Sequence, residues 1–284
     1  MRRGAALGYL LARASDTIAD ESKLPVSERL RALDWLGRSL VADAQCDMEV
    51  DPELGVGLCE NERVLLAVLP RLVAELEALP AAEAQLVREV LGIIMSGQRM
   101  DLERFGSTGD GECVAIGSDP ELLDYTWRVA GCVGEFWTRL GFLTLGKRFS
   151  QCCESQLLQW GRNFGQGLQL VNILRDLPQD LQVGRCYLPV ENPADVEALK
   201  QCHRRWMLKC DDFLQDGLHY ANAMESRRLR VAAELPALMG LETLQLLGDG
   251  MWQHPGLRIK IPRRRVRLLF FRSFLGLNRF CERT

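Results

Sequence analysis

A row of polar side chains runs along one face of a strongly apolar segment, residues 167–189. Gln169, Asn172 and Asp176 are spaced at i, i+3 and i+7, which places them on one helix face, and Asp180 follows one turn later. Most neighbouring positions are Leu, Val or Ile, a pattern typical of a buried helix. Buried carboxylates need partners, and a divalent cation that prefers oxygen ligands is one. The alternative at this point is an ordinary polar seam on a core helix.

A second polar row lies near the N-terminus, in residues 8–21. One helix face carries, at i, i+4, i+7 and i+11, the residues Tyr9, Arg13, Asp16 and Asp20. The chain therefore holds two Asp-x-x-x-Asp pairs on two predicted helices. Such pairs can hold Mg²⁺, which typically binds through one or two carboxylates plus substrate phosphates. Arg13 and Tyr9, one and two turns before the first aspartates, are placed to meet phosphate oxygens.

Pro178 lies between the two aspartates of the second pair. A proline inside a helix removes a backbone hydrogen bond and costs about 3 kcal/mol. We therefore expect the helix to kink at this point or to end near Leu177. The spacing of Asp176 and Asp180 depends on which of these occurs.

Helical periodicity extends through nearly the whole chain, and no alternating pattern of useful length predicts a β-strand. The spacing predicts one helix over 62–79 that ends before Pro80, one over 121–145, and a long polar surface helix over 193–226. An all-α fold follows, with helices packed around a central cavity. One large domain is the simplest count for 284 residues.

The motif text resembles the squalene/phytoene synthase family of head-to-head prenyl transferases. The resemblance rests on YLLARASDTIAD, residues 9–20, and on LQLVNILRDLPQDLQVGRCYLP, residues 168–189. Residues 93–105 and 122–140 resemble two further family segments. Within the family the text is most similar to bacterial squalene synthases, which are farnesyl-diphosphate farnesyltransferases. The resemblance implies the isoprenoid synthase fold in a single domain over residues 1–284, with the aspartate helices facing each other and the usual N-terminal helix missing.

The same resemblance implies a metal and diphosphate site. The metal, Mg²⁺ with Mn²⁺ as the alternative, would be held by Asp16, Asp20, Asp176 and Asp180. Contacts to the diphosphate or to metal-bound water would come from Tyr9, Arg13, Gln169, Asn172, Arg185 and Tyr187. A solvated side chain is the alternative for Arg185.

Two further roles come from the segment around residues 122–140. Tyr125 matches a pocket tyrosine of the family that acts with Arg13 as a catalytic residue, either carrying a proton or stabilising a cation. Its alternative is a core tyrosine with a satisfied hydroxyl. Small or apolar residues that would line a prenyl tunnel are Ala130, Val133 and Gly134. Close packing of helices is the alternative for these small residues.

The implied reaction joins two farnesyl diphosphates through a cyclopropyl (presqualene) diphosphate to squalene, a sterol or hopanoid precursor, with reduction by NADPH. A phytoene or dehydrosqualene synthase, which transfers no hydride, is one alternative. A non-catalytic relative that assists assembly of respiratory complexes is another. Such relatives typically lose the aspartates, and both pairs are intact in this chain.

Composition restricts the partners. The net charge of −3 does not indicate a nucleic-acid partner. The ten cysteines show no C-x-x-C spacing, which indicates reduced thiols and a cytoplasmic location. Residues 258–283 contain nine Lys or Arg, one acid and interleaved Leu and Phe. This pattern favours either a basic amphipathic helix peripherally at a membrane or a terminal helix packed on the core with a solvated basic face.

Overall fold

The computed structural model describes residues 1–20, 24–41, 58–106, 113–248 and 259–276. Within these ranges the regular secondary structure is helical except for two strands of two residues each. The all-α prediction is therefore confirmed. Contacts divide the chain into two compact units, Met1–Thr108 and Gly109–Thr284. The single domain over residues 1–284 stays a prediction.

The first unit contains five helices among its described residues: α1 (Arg2–Asp20), α2 (Val26–Ser39), α3 (Glu60–Ala67), α4 (Leu69–Glu77) and α5 (Ala81–Phe105). Helix α1 packs against all four of the others. Its apolar face is buried, with Leu11 and Ala14 fully inaccessible, so the opposite face is left for the polar row. The prediction of one helix over 62–79 is wrong, because the helix is interrupted at Val68. A new helix, α4, begins at Leu69 and has Pro70 in its first turn.

The described residues of the second unit form six α-helices: α6 (Asp119–Thr126), α7 (Cys132–Leu145), α8 (Glu154–Gln182), α9 (Val196–Asn222), α10 (Arg227–Leu247) and α11 (Arg263–Leu275). The strands β1 (Val114–Ala115) and β2 (Arg185–Cys186) pair in parallel, with Val114 opposite Arg185. The sequence did not predict them, because two residues are too few to show an alternating pattern.

The helix predicted over 121–145 is divided in the structure. Ser118 caps α6 by accepting a hydrogen bond from the backbone N–H of Glu121. A π-helical turn, Trp127–Gly131, then separates α6 from α7. Single π-turns inside helices are frequent at functional sites, and this one begins two residues after Tyr125.

Helix α8 is held between α7 and α9 at close range. A Cβ atom on Gly134 would lie 1.8 Å from the carbonyl oxygen of Gly161, so only glycine allows this approach of α7. On the other side, a Cβ on Gly217 of α9 would lie 2.4 Å from the ring of Phe164. The close contacts at Gly134 and Gly217 fix the position of α8, the helix that carries the second aspartate pair.

The prediction of a polar surface helix over 193–226 is wrong in part, because α9 buries a full apolar face that includes Trp206.

None of the helices in the described ranges combines the length and the apolar character that crossing a bilayer requires.

Candidate functional site

The first aspartate pair lies on the exposed side of α1. Asp16 is half-buried and Asp20 is exposed, one helical turn apart. Arg13 Nη1 donates to Asp16 Oδ2 at 2.5 Å, and Arg13 Nη2 lies 3.5 Å from Glu62 Oε1 of α3. Tyr9 is 68% exposed. The structure therefore brings Arg13, the predicted phosphate-binding side chain, into direct contact with Asp16, a predicted metal ligand, on one face of α1.

The second pair lies on α8, which continues through Pro178 to Gln182. An end near Leu177 is therefore wrong, and Asp176 and Asp180 lie one turn apart on one continuous helix. Both aspartates are half-buried. Arg175 clamps the first one, with Nε to Oδ1 at 2.8 Å and Nη2 to Oδ2 at 2.5 Å. The hydrogen bonds to this carboxylate raise the pKa of the Arg175 guanidinium.

The amides predicted beside the second pair lie on the same helix. Asn172 is exposed and Gln169 is half-buried, one and two turns before Asp176. Both side chains are therefore placed beside the carboxylates and remain accessible to a ligand. The row of polar side chains predicted from the spacing is therefore present on one face of α8.

Two tyrosines of the predicted site stack on each other. The rings of Tyr125 and Tyr187 have centroids 5.3 Å apart and planes inclined by 22°. Each residue is 8% exposed. The strand pair places Tyr187 there, because Cys186 is fully buried and bonded into the sheet, and Arg185 before it is half-buried. The stack leaves both interpretations of Tyr125 open, since an aromatic pair stabilises a core and also presents a ring to a cation.

The small residues of the predicted tunnel differ in their surroundings. Val133 is 41% exposed, and Ala130 is half-buried within the π-turn. Gly134 has no open space beside it, because α8 occupies the place of its missing side chain. The carbonyl of Ala130 likewise lies where a Cβ on Gly165 would be, at 2.3 Å. At Gly134 the geometry favours close packing over a tunnel wall.

A separate groove of about 580 Å³ lies in the second unit. Its lining consists of Leu123, Asp124, Trp127, Gln159, Arg162, Asn163, Gln166, Lys209 and Phe213. Arg162 lies over the ring of Trp127 at 5.7 Å, and Lys209 lies over Phe213 at 4.6 Å. No residue of the predicted site lines this groove, so it adds nothing to the assignment of the aspartates.

The donor chemistry of the aspartates fits Mg²⁺. Among the described residues no group of three or more His, Cys, Asp or Glu side chains could hold a metal by itself. Each unit contains its own pair of solvent-accessible carboxylates one turn apart. Mg²⁺ usually takes one or two carboxylates and keeps several waters for the rest. The four aspartates offer oxygen donors, and a cation at either pair would compete with Arg13 or Arg175 for the first carboxylate of that pair.

A family model for squalene/phytoene synthases matches residues 1–265. The chain belongs to the squalene/phytoene synthase family. The bifunctional lycopene cyclase/phytoene synthase of Colletotrichum graminicola is 29% identical over 66% of this chain and 32% of its own length. The probable squalene synthase of Neurospora crassa is 23% identical over 97% of this chain and 57% of its own length. This family member therefore spans about a third to somewhat over half of these two relatives.

Solved structures of the family share the fold. TcSQS in complex with the ligand E5700 superposes with a TM-score of 0.75 and 20% identity, over 95% of this chain and 78% of that one. A dehydrosqualene synthase in complex with a ligand gives 0.61 and 18%, over 99% and 89%. These neighbours have the isoprenoid synthase fold, so the predicted fold is confirmed for this family member.

Some site contacts escaped the sequence analysis. Arg175 directly precedes Asp176, so the adjacent opposite charges were a signal that could have suggested the clamp. Glu62 lies 49 residues from Arg13 along the chain, and no spacing pattern in the sequence indicates that the two side chains meet. The stack of Tyr125 and Tyr187 joins residues of two separate motifs, and only the fold shows it.

Proposed function

We propose that the protein condenses two farnesyl diphosphates head to head, through a cyclopropyl diphosphate, to squalene. The observation that carries the proposal is the family match over residues 1–265 together with both aspartate pairs on unbroken helix faces. A non-catalytic relative would have no need of these two pairs.

The aspartates account for the ionisation of the substrate. In this proposal Asp16, Asp20, Asp176 and Asp180 hold Mg²⁺. When bound, the metal supplies Lewis-acid neutralisation of the diphosphate leaving group. Arg13 provides a fixed positive charge on the same face of α1, and the hydroxyl of the exposed Tyr9 donates a hydrogen bond to the phosphate oxygens. On α8, the amides of Gln169 and Asn172 add donors beside the carboxylates.

The stacked tyrosines account for handling of the carbocation. Once the diphosphate leaves, C1 of one chain is attacked by the double bond of the other, and a proton is lost as the cyclopropane closes. A face of the Tyr125 and Tyr187 pair presents π-density to a nearby cation. The Tyr125 hydroxyl is our candidate for carrying the proton, and Arg185 on the strand before Tyr187 is our candidate for holding the released diphosphate.

Reduction by NADPH is the most specific part of the proposal. It rests on likeness to squalene synthases, whereas the relative in Colletotrichum graminicola is a phytoene synthase fusion. The rearranged cation from farnesyl diphosphate yields squalene by hydride transfer or dehydrosqualene by proton loss, and the corresponding cation from geranylgeranyl diphosphate yields phytoene by proton loss.

Product analysis tests the proposal. Purified protein with farnesyl diphosphate and Mg²⁺ is expected to release squalene only when NADPH is added, and to accumulate the cyclopropyl diphosphate without it. Products are identified by mass spectrometry. Dehydrosqualene that is unchanged by NADPH would move the protein to the non-reducing branch. Phytoene from geranylgeranyl diphosphate, with farnesyl diphosphate inert, would correct the substrate length. No hydrocarbon, and no Mg²⁺-dependent binding of inorganic diphosphate, would favour the non-catalytic alternative.

We also propose that α11 lies on an anionic membrane surface, in a cytoplasmic protein that delivers an oily product. The helix packs on α10 through the buried Leu269, and Ser273 Oγ donates to Glu234. Its outward side contains no acid and carries the arginines Arg263, Arg264, Arg267 and Arg272. Five large apolar side chains are exposed on the same helix: Leu268, Phe270, Phe271, Phe274 and Leu275. Arginines bind anionic headgroups while the rings enter the interface. A second copy is a poor occupant, because it would bring like charges together.

Vesicle flotation tests this surface. We expect the protein to float with vesicles that contain phosphatidylglycerol at low salt, and to stay unbound with phosphatidylcholine alone. Replacing both Phe271 and Leu275 by Ser should lower binding to the vesicles by at least about tenfold. Each of these side chains would contribute roughly 1.5–3 kcal/mol when it is buried in the bilayer interface. Leu208→Ser, which changes a lone residue that is 73% exposed on α9, is the matched control.

Three outcomes would contradict the membrane proposal. One is the absence of binding to anionic vesicles at low salt. Another is equal binding of the double variant and the wild type. The third is concentration-dependent self-association without vesicles that the double variant abolishes, which would assign the surface to a second copy.

A further inference from the structure

Pro178 leaves one carbonyl group of α8 without its usual helix donor. Proline has no backbone N–H, so nothing at position 178 can donate to the carbonyl of Leu174, four residues earlier. Leu174 is fully buried, so water cannot supply the missing hydrogen bond. A buried carbonyl without a donor is costly, yet α8 continues to Gln182.

A side chain of α9 supplies the donor. His203 Nε2 lies 3.3 Å from the carbonyl oxygen of Leu174, and the histidine is fully buried. A carbonyl oxygen only accepts hydrogen bonds, so Nε2 must carry the proton. Burial lowers the pKa of the imidazole, which keeps the ring neutral near pH 7. The ring therefore acts as a fixed donor at the point where the proline interrupts the helix.

Neighbouring contacts show that this bond is part of the α8–α9 packing. Cys210, two turns after His203 on α9, points its Sγ at the carbonyl of Gly167 at 3.3 Å. The Gly167 carbonyl still has a backbone donor, because Val171 carries an N–H. Of these two carbonyls, only that of Leu174 lies four residues before a proline, so at Leu174 the side chain takes the place of a helix hydrogen bond.

We propose that His203 is a positioning residue for the second aspartate pair, because its hydrogen bond replaces the donor that Pro178 removes. The helix then stays continuous between Asp176 and Asp180, and the two carboxylates remain on the same face of α8. The inference rests on the proposed function for the role of these aspartates. The hydrogen bond itself does not depend on it. A histidine that merely fills the core would be insensitive to the residue at position 178.

A double-mutant cycle separates these two roles. His203→Leu removes the donor and keeps an apolar side chain, and Pro178→Ala restores a backbone N–H to the helix. We expect His203→Leu alone to weaken Mg²⁺-dependent binding of inorganic diphosphate about tenfold, a coupling in the range known for contacting residues. In the Pro178→Ala background the same substitution should change binding less than about twofold. Binding is measured by titration calorimetry, and the midpoint of thermal unfolding is recorded for every variant.

Two control variants sharpen the cycle. His203→Gln keeps a donor near the carbonyl and should recover part of the lost binding. Cys210→Ala removes a side-chain contact to a carbonyl that keeps its helix donor, so its effect should be the same with and without Pro178.

Equal losses from His203→Leu in both backgrounds, in binding and in thermal unfolding, would overturn the inference. Coupling in thermal unfolding but none in binding would show that the hydrogen bond supports the helix alone, and would also overturn the positioning role. If the wild type does not bind diphosphate with Mg²⁺, the proposed function fails, and with it the positioning role, while coupling in thermal unfolding still reports on the hydrogen bond.

Discussion

Asp16→Asn and Asp176→Asn are each expected to lower turnover of farnesyl diphosphate by at least about 100-fold, or about 2.7 kcal/mol in activation free energy. An amide is neutral and is a poorer ligand for a hard cation than a carboxylate. Each change therefore weakens the site where the diphosphate charge must be neutralised. The measurement is steady-state product formation over a range of Mg²⁺ concentrations. An aspartate whose variant keeps more than about a tenth of the wild-type rate is not an essential ligand.

The same substitutions should leave folding stability nearly unchanged. Asp16 pairs with Arg13 across side chains that are 45% and 44% exposed, and Asp176 pairs with Arg175 at 33% and 28%. Exposed ion pairs contribute about 0–1 kcal/mol. Asp34→Asn, which breaks a surface pair with Arg99, and Asp212→Asn on the exposed side of α9 are the matched controls. Both controls should retain full turnover, so a loss confined to the predicted ligands identifies the site.

The sequence predicted the aspartate faces because helix periodicity is a local property. The apolar residues between Asp16 and Asp20 fix which side of α1 is buried, and the structure buries Ile18 as that pattern requires. The same reasoning placed Asn172 and Asp176 on one face of α8. These predictions needed no information about distant parts of the chain.

The continuation of α8 past Pro178 could not be predicted in the same way. Local sequence indicates a break, because proline removes a donor. The compensating donor is His203, 29 residues from Leu174 along the chain, and its role appears only when α9 packs on α8. The two-residue strands could not be predicted for a related reason. Each strand is defined by its pairing with the other across a gap of about 70 residues, from Val114 to Arg185.

Gly134 separates the two interpretations of the small residues in α7, and Gly134→Ala is expected to destabilise the protein by about 3 kcal/mol. The added Cβ would lie 1.8 Å from the carbonyl oxygen of Gly161, a backbone atom that cannot rotate away. Helices α7 and α8 must then separate, which loses packing on both sides of the contact. Urea unfolding, with the midpoint and the slope both fitted, gives the free energy of unfolding.

Gly92→Ala in α5 is the matched control for this prediction. It is also a helix-interior glycine, but a Cβ there would meet no atom within 4 Å. Alanine is favoured over glycine in a helix by about 0.5–1 kcal/mol, so this variant should be as stable as the wild type or slightly more stable. A tunnel wall at Gly134 predicts a different result: unchanged stability with a shift toward shorter prenyl substrates. Equal free energies of unfolding for the two alanine variants would therefore contradict close packing and return Gly134 to the predicted tunnel.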